Sequence, residues 1–191
     1  MAKWRRSGLA GDSRGRFLEE IYRKYARREF LETDPLPIVR RYDSSEDREV
    51  VGFLTALLSY GRVASIRGHV EEVLAFMGPS PARFVLRRSP AVADERFLSL
   101  RYRFHTGRDI ASLFLALGEI LREAGSLEPH FLSGGGGTRE NLGALVRRIR
   151  AVDVRRYHPA GGFEASPGLR FLVPAPENGS ACKRWNLFFG G

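Results

Sequence analysis

Ile110, Leu113, Phe114, Leu117, Ile120 and Leu121 stand three or four residues apart, a stripe that lines one face only if the chain is helical. The spacing predicts an amphipathic helix over about 107–124. Phe17, Leu18, Ile21 and Tyr25 predict another from about 14 to 30. Val50, Val51, Phe53, Leu54, Leu57 and Leu58 are apolar on more than one face, which reads as a central, buried helix. Ile66, Val70, Val73, Leu74 and Met77 predict the next, ended by Gly78-Pro79. No segment alternates as a sustained strand does, so the expected class is all-α, a helical bundle.

Breakers and caps divide the bundle. Pro35 and Pro37 are too close together to lie inside a helix, so 33–37 reads as a break. Asp43-Ser44-Ser45-Glu46 has capping-box spacing. Tyr60-Gly61-Arg62 interrupts two helices, and 80–88 reads as a short one. The segment from Arg101 to His105 reads as irregular and polar-aromatic. Gly134 to Gly137 reads as a loop with no Lys-Ser/Thr behind it, hence no P-loop. Thr138 is expected to cap a helix reaching about Val152, and the apolar run Leu169 to Val173 reads as a short extended piece. Residues 1–13 read as a basic tail and 14–191 as one helical domain.

The net charge is +9 and the pI near 10.4, which favours a polyanionic partner, nucleic acid before an anionic membrane surface. The cations cluster: Arg23, Lys24, Arg27 and Arg28; Arg101, Arg103 and Arg108; Arg147, Arg148, Arg150, Arg155 and Arg156. Tyr102, Phe104 and Tyr157 lie among them and could stack on exposed bases. Each cluster could equally be a solvated face neutralised by nearby glutamates. A single cysteine, Cys182, excludes an intramolecular disulfide and a cysteine-based zinc site. His69, His105, His130 and His158 lack ligand-like spacing, so no metal and no cofactor is expected. No window resembles a secretory leader or a membrane span, and a soluble cytoplasmic protein is the expectation.

Only three lysines, Lys3, Lys24 and Lys183, stand among the 31 basic residues. Unlike arginine, lysine has an amine that can lose its proton and attack carbon. Lys183 follows the turn-like stretch Pro174 to Gly179 and precedes the apolar run Trp185, Leu187, Phe188 and Phe189. That position suits a nucleophile or a phosphate ligand, and equally a solvated helix-start lysine.

Three blocks resemble an uncharacterised bacterial family of unknown function: Asp34-Pro35 with Arg41-Tyr42, the stretch Glu49 to Arg62, and the stretch Leu172 to Phe188. That family in turn resembles the helix-hairpin-helix DNA glycosylases, the 8-oxoguanine glycosylase/lyases in particular. The resemblance implies a DNA-binding, DNA-repair fold akin to the N-terminal part of such an enzyme. It implies that the turn Gly179, Ser180, Ala181 offers backbone N–H groups to a phosphate, with Arg184 beside it. Tyr60 and Arg62 would line a base pocket, and Lys183 would be the catalytic amine. Two departures stand out. Ala181 replaces the second hairpin glycine, and the Asp of a Pro-x-Asp-x-His context does not follow within the eight residues after Lys183. The expectation is therefore a chain shortened at its C-terminus and inactive as such. The alternatives are a non-catalytic Arg-rich nucleic-acid-binding module or a nonfunctional fragment.

Overall fold

The computed structural model of the chain describes residues 13–25, 34–87 and 95–190, and within these the fold is a helical bundle. The helices are α1 (Ser13–Tyr25), α2 (Leu36–Val39), α3 (Ser45–Leu58), α4 (Val63–Met77), α5 (Pro81–Leu86) and α6 (Glu95–Leu98). A two-residue hairpin, β1 (Arg101–Tyr102) and β2 (His105–Thr106), leads into α7 (Gly107–Ala124). After it come α8 (Glu128–Leu132), α9 (Thr138–Arg150), α10 (Gly162–Ala165), α11 (Pro167–Leu172), a 3-10 turn (Pro176–Asn178) and α12 (Lys183–Gly190).

The helix read as central is central. Val50, Val51, Leu57 and Leu58 on α3 are completely buried, and α2, α4, α5 and α12 all pack on this helix. The stripe of α7 is equally buried and meets α5, α6, α9 and α11. A single cluster of apolar side chains runs from Ile38 to Trp185. Trp185 is fully buried, and its Nε1–H donates to the Pro174 carbonyl at 3.1 Å. Of the terminal apolar run, Phe188 packs edge-on against Phe53 at 6.0 Å between centroids, while Leu187 and Phe189 stay exposed.

Several local expectations shift. Ser44, not Asp43, caps α3: its hydroxyl accepts from the Asp47 N–H at 3.0 Å. The Asp47 carboxylate faces away from that cap, accepting from Ala82 N–H at 2.7 Å and Ser80 Oγ at 3.2 Å, and so ties α5 to α3. Pro37 lies inside a helix after all. It occupies the first turn of α2, where a missing N–H costs no bond. Gly137 occupies the N-cap position of α9, Thr138 is its first residue, and the helix ends at Arg150. Residues 101–106 form an antiparallel ladder, Arg101 opposite Thr106 and Tyr102 opposite His105. Residues 169–172 are helical, because Ser166 caps α11 by accepting from Leu169 N–H at 3.2 Å. The helix expected to about residue 30 is described to Tyr25, with Phe17, Leu18, Ile21 and Tyr25 exposed. Residues 26–30, including Arg27 and Arg28, and the basic tail up to residue 12 lie outside the described residues. No described helix is long and apolar enough to cross a membrane.

Candidate nucleic-acid interface

Tyr60 is the hub of an aromatic surface that the fold gathers from four elements. The first is the turn after α3. Ser59 Oγ–H donates to the Thr55 carbonyl at 2.7 Å, closing the helix. Gly61 then takes φ +113°, a left-handed conformation that favours glycine. A Cβ there would also meet Arg103 Nη1 at 3.0 Å and Tyr102 Oη at 3.2 Å.

The second element is the hairpin. Arg103, at φ +52°, makes the reversal, and Phe104 beside it is 58% exposed. The hairpin and the turn lie against each other through Tyr60 and Tyr102. Tyr102 Oη–H donates to the Tyr60 carbonyl at 3.1 Å, and Tyr60 Oη lies 3.3 Å from the Tyr102 carbonyl. Phe104 stacks on Tyr60 with centroids 6.0 Å apart and planes 23° off parallel.

The third and fourth elements are the end of α11 and the first turn of α12. Phe171 meets Tyr60 edge-on at 4.8 Å. The Arg184 guanidinium lies 4.3 Å from the Phe171 centroid and 5.4 Å from that of Tyr60, and donates to the Phe171 carbonyl. Arg103 adds a second cation, 5.9 Å from Tyr60 and 5.5 Å from Phe104. Burial lowers the pKa of Arg184 from the usual arginine value, and neither Arg103 nor Arg184 has a carboxylate partner among the described residues.

Behind Tyr60 lie two histidines that sequence reasoning left scattered. Tyr60 Oη is hydrogen-bonded to His105 Nδ1, His105 Nε2 is 3.0 Å from His69 Nε2, and His69 Nδ1 is 3.3 Å from Glu72 Oε2. Both imidazoles are buried. Burial lowers the pKa of His69, and burial together with His69 pushes His105 down to about 3, so both rings are neutral at pH 7. Burial and the neighbouring Tyr102 raise the Tyr60 hydroxyl above the usual tyrosine range, against Arg184, the Phe104 backbone and Arg103. His69 shares the buried face of Ile66, Val70 and Val73, and its i+3 neighbour is Glu72. That was the one signal available in the sequence.

Of the residues singled out from sequence, the fold brings Tyr60 and Arg184 together. Arg62 is exposed in the turn beside Gly61, ahead of α4. Lys183 is exposed as the first residue of α12, next to Arg184. Gly179, at φ +74°, ends the 3-10 turn. Ser180 Oγ accepts from Cys182 N–H at 3.1 Å and the Ala181 carbonyl from Asn186 Nδ2 at 3.3 Å, which shapes the lead into α12. Cys182 is buried and packs as filler.

The cation clusters divide. Arg147 meets Glu177 at 2.5 Å, Arg148 Nε meets Glu123 at 2.9 Å, Arg150 meets Glu164 at 3.0 Å and Arg155 meets Asp153 at 2.6 Å. That cluster is largely neutralised, mostly by carboxylates that other elements bring to it. Arg101, Arg103 and Arg108 have no such partner among the described residues.

A family model described as "Protein of unknown function (DUF2400)" matches residues 34–190, from just before α2 to the end of α12. The chain belongs to this family. Every element of the Tyr60 surface falls inside the DUF2400 match, and α1 falls outside it. No curated protein and no solved structure matches the chain.

Proposed function

We propose that this DUF2400 chain binds DNA, with the Tyr60–Phe104–Phe171 surface receiving an unstacked base and Arg103 and Arg184 meeting the adjoining backbone. The observation that supports this most is the coincidence of exposed aromatic area with cations that no carboxylate neutralises. Rings of this kind stack on any base, and guanidinium groups with no carboxylate partner attract phosphate. Arg62 and Arg101, exposed on the flanking turn and strand, extend the basic area. Anisotropy titration of a labelled single strand and a labelled duplex over a range of salt tests the reading. The logarithm of the affinity should fall linearly with log salt, with a slope of roughly 0.7 per neutralised phosphate for the single strand and 0.9 for the duplex. Absence of binding at low salt would sink it.

A second reading keeps the glycosylase/lyase resemblance. Lys183 is exposed and adjoins Arg184, so its amine belongs to the same turn as a cation of the aromatic surface. At an abasic site the amine would add to the open-chain C1′ aldehyde, and loss of water would leave a Schiff base. Borohydride would reduce that bond to a stable crosslink.

A further inference from the structure

The Tyr60 hydroxyl, two buried imidazoles and a half-exposed carboxylate form an unbroken hydrogen-bonded series that the base-stacking surface alone does not require. Chemistry fixes its direction. Each neutral imidazole has one N–H and one bare nitrogen. The Glu72 carboxylate accepts only, so the proton of His69 belongs on Nδ1, 3.3 Å from Oε2. His69 Nε2 is then bare, and across 3.0 Å it must accept from His105 Nε2–H. That leaves His105 Nδ1 bare, and it can only accept the Tyr60 hydroxyl proton. One charge at the exposed end therefore sets every proton as far as Tyr60. The reverse order would point a bare His69 Nδ1 at the carboxylate and strand two acceptors face to face.

The surroundings hold this series in place. The His69 ring lies parallel to Tyr102 with centroids 4.5 Å apart. Tyr102 is also the residue whose hydroxyl and carbonyl bracket Tyr60. The relay approaches Tyr60 at its hydroxyl, whereas Phe104, Phe171 and the two arginines address its ring.

We propose that Glu72, His69 and His105 are positioning residues: a one-way hydrogen-bond relay that fixes the Tyr60 ring in the orientation on which Phe104, Arg184 and an incoming base pack. The functional half of this inference rests on the DNA-binding reading above; the direction of the relay does not.

The experiment has two arms. Nitrogen-15 spectra of the free protein should show His105 protonated at Nε2 and His69 at Nδ1, and Glu72→Leu should let both tautomers of each ring appear. Glu72→Gln removes the charge and adds an NH2 donor beside its carbonyl, so it should hold the wild-type tautomers less firmly than Glu72 does. In the second arm, Glu72→Leu and His69→Phe should weaken binding of a labelled single-stranded oligonucleotide roughly three- to tenfold, with Glu72→Gln between these variants and the wild type. Glu72 is half exposed, so its variants stay folded even if His69→Phe does not. The opposite tautomers in the wild type would overturn the relay. Unchanged affinity in a folded Glu72→Leu whose spectrum has scrambled would overturn its positioning role. If the wild type binds no oligonucleotide, the DNA-binding reading and the positioning role fail together, and the spectra alone decide the relay's direction.

Discussion

The Arg184 guanidinium lies 4.3 Å from the centroid of Phe171 and 5.4 Å from that of Tyr60, so the first turn of the last helix completes a surface begun by the turn after α3. Its flat group stacks on the ring and donates to the Phe171 carbonyl at once. Lysine keeps the charge but cannot do both. Arg184→Lys should therefore weaken oligonucleotide binding while leaving the salt dependence unchanged. Arg184→Ala should weaken it further and reduce the salt slope by about one phosphate.

Phe104 separates stacking from charge. Its ring is exposed on one side and rests on Tyr60 on the other. Phe104→Ala should cost about 1–3 kcal/mol of single-strand binding, with the salt slope retained. Because the ring is largely exposed, stability to denaturant should move by less than about 0.5 kcal/mol. Equal losses in affinity and stability would mean that the ring is structural.

The helices were legible where one face is buried and one exposed, because that division sets the spacing. The stripes of α4 and α7 follow from it directly, whereas α3 was legible because it is apolar nearly all round. The surface around Tyr60 was only half legible. Tyr60 and Arg184 stand out only through the family resemblance, and nothing local says that residues 60, 102, 105 and 184 converge. The histidines illustrate the limit. Spacing argues against a ligand pair in sequence, and only tertiary packing brings two Nε2 atoms to 3.0 Å. The Arg147–Arg156 cluster shows the converse limit, since Glu123 and Glu177 come from other elements to pair with its arginines.

Asp47 should matter for stability and not for binding. Its carboxylate satisfies the buried Ala82 N–H at 2.7 Å and the Ser80 hydroxyl at 3.2 Å. Asp47→Ala leaves that N–H without a partner and should cost about 1–3 kcal/mol, read as a lower urea midpoint at unchanged slope. Asp47→Asn keeps an acceptor and should cost less. Oligonucleotide affinity of the folded fraction should be unaltered in both.

Acid should destabilise the fold through the histidine pair. His105 is held to about 3 in the folded chain, against about 6.5 when unfolded. Between those values the unfolded chain binds a proton that the folded one refuses. The contribution of His105 is therefore complete above about pH 6.5 and shrinks as the pH falls towards 3. His69 shifts in the same direction, whereas Glu49, whose carboxyl is raised by burial, opposes it at the acid end. Stability should drop by about 2–3 kcal/mol from pH 6.5 to pH 4 on account of His105. His105→Gln should flatten that part of a urea-midpoint profile, and a profile that keeps its full slope would assign the acid sensitivity elsewhere.

Lys183 decides between a binding surface and a lyase. It is exposed at the head of α12, and the neighbouring Arg184 is packed into the aromatic surface, so replacing Lys183 should leave that surface intact. If the amine forms a Schiff base, borohydride should trap the chain on duplex DNA containing an abasic site, and Lys183→Ala should abolish the crosslink. Lys183→Arg is the informative variant. It preserves the positive charge, and with it binding and the salt slope, but a guanidinium that stays protonated at neutral pH cannot condense with an aldehyde. Binding retained and crosslink lost in Lys183→Arg identifies the amine as a nucleophile. A crosslink that survives in both variants places the reacting amine at another residue. Binding of abasic DNA by the wild type with no crosslink at all reduces Lys183 to a phosphate contact, in which case Lys183→Ala should weaken binding and lower the salt slope by about one phosphate.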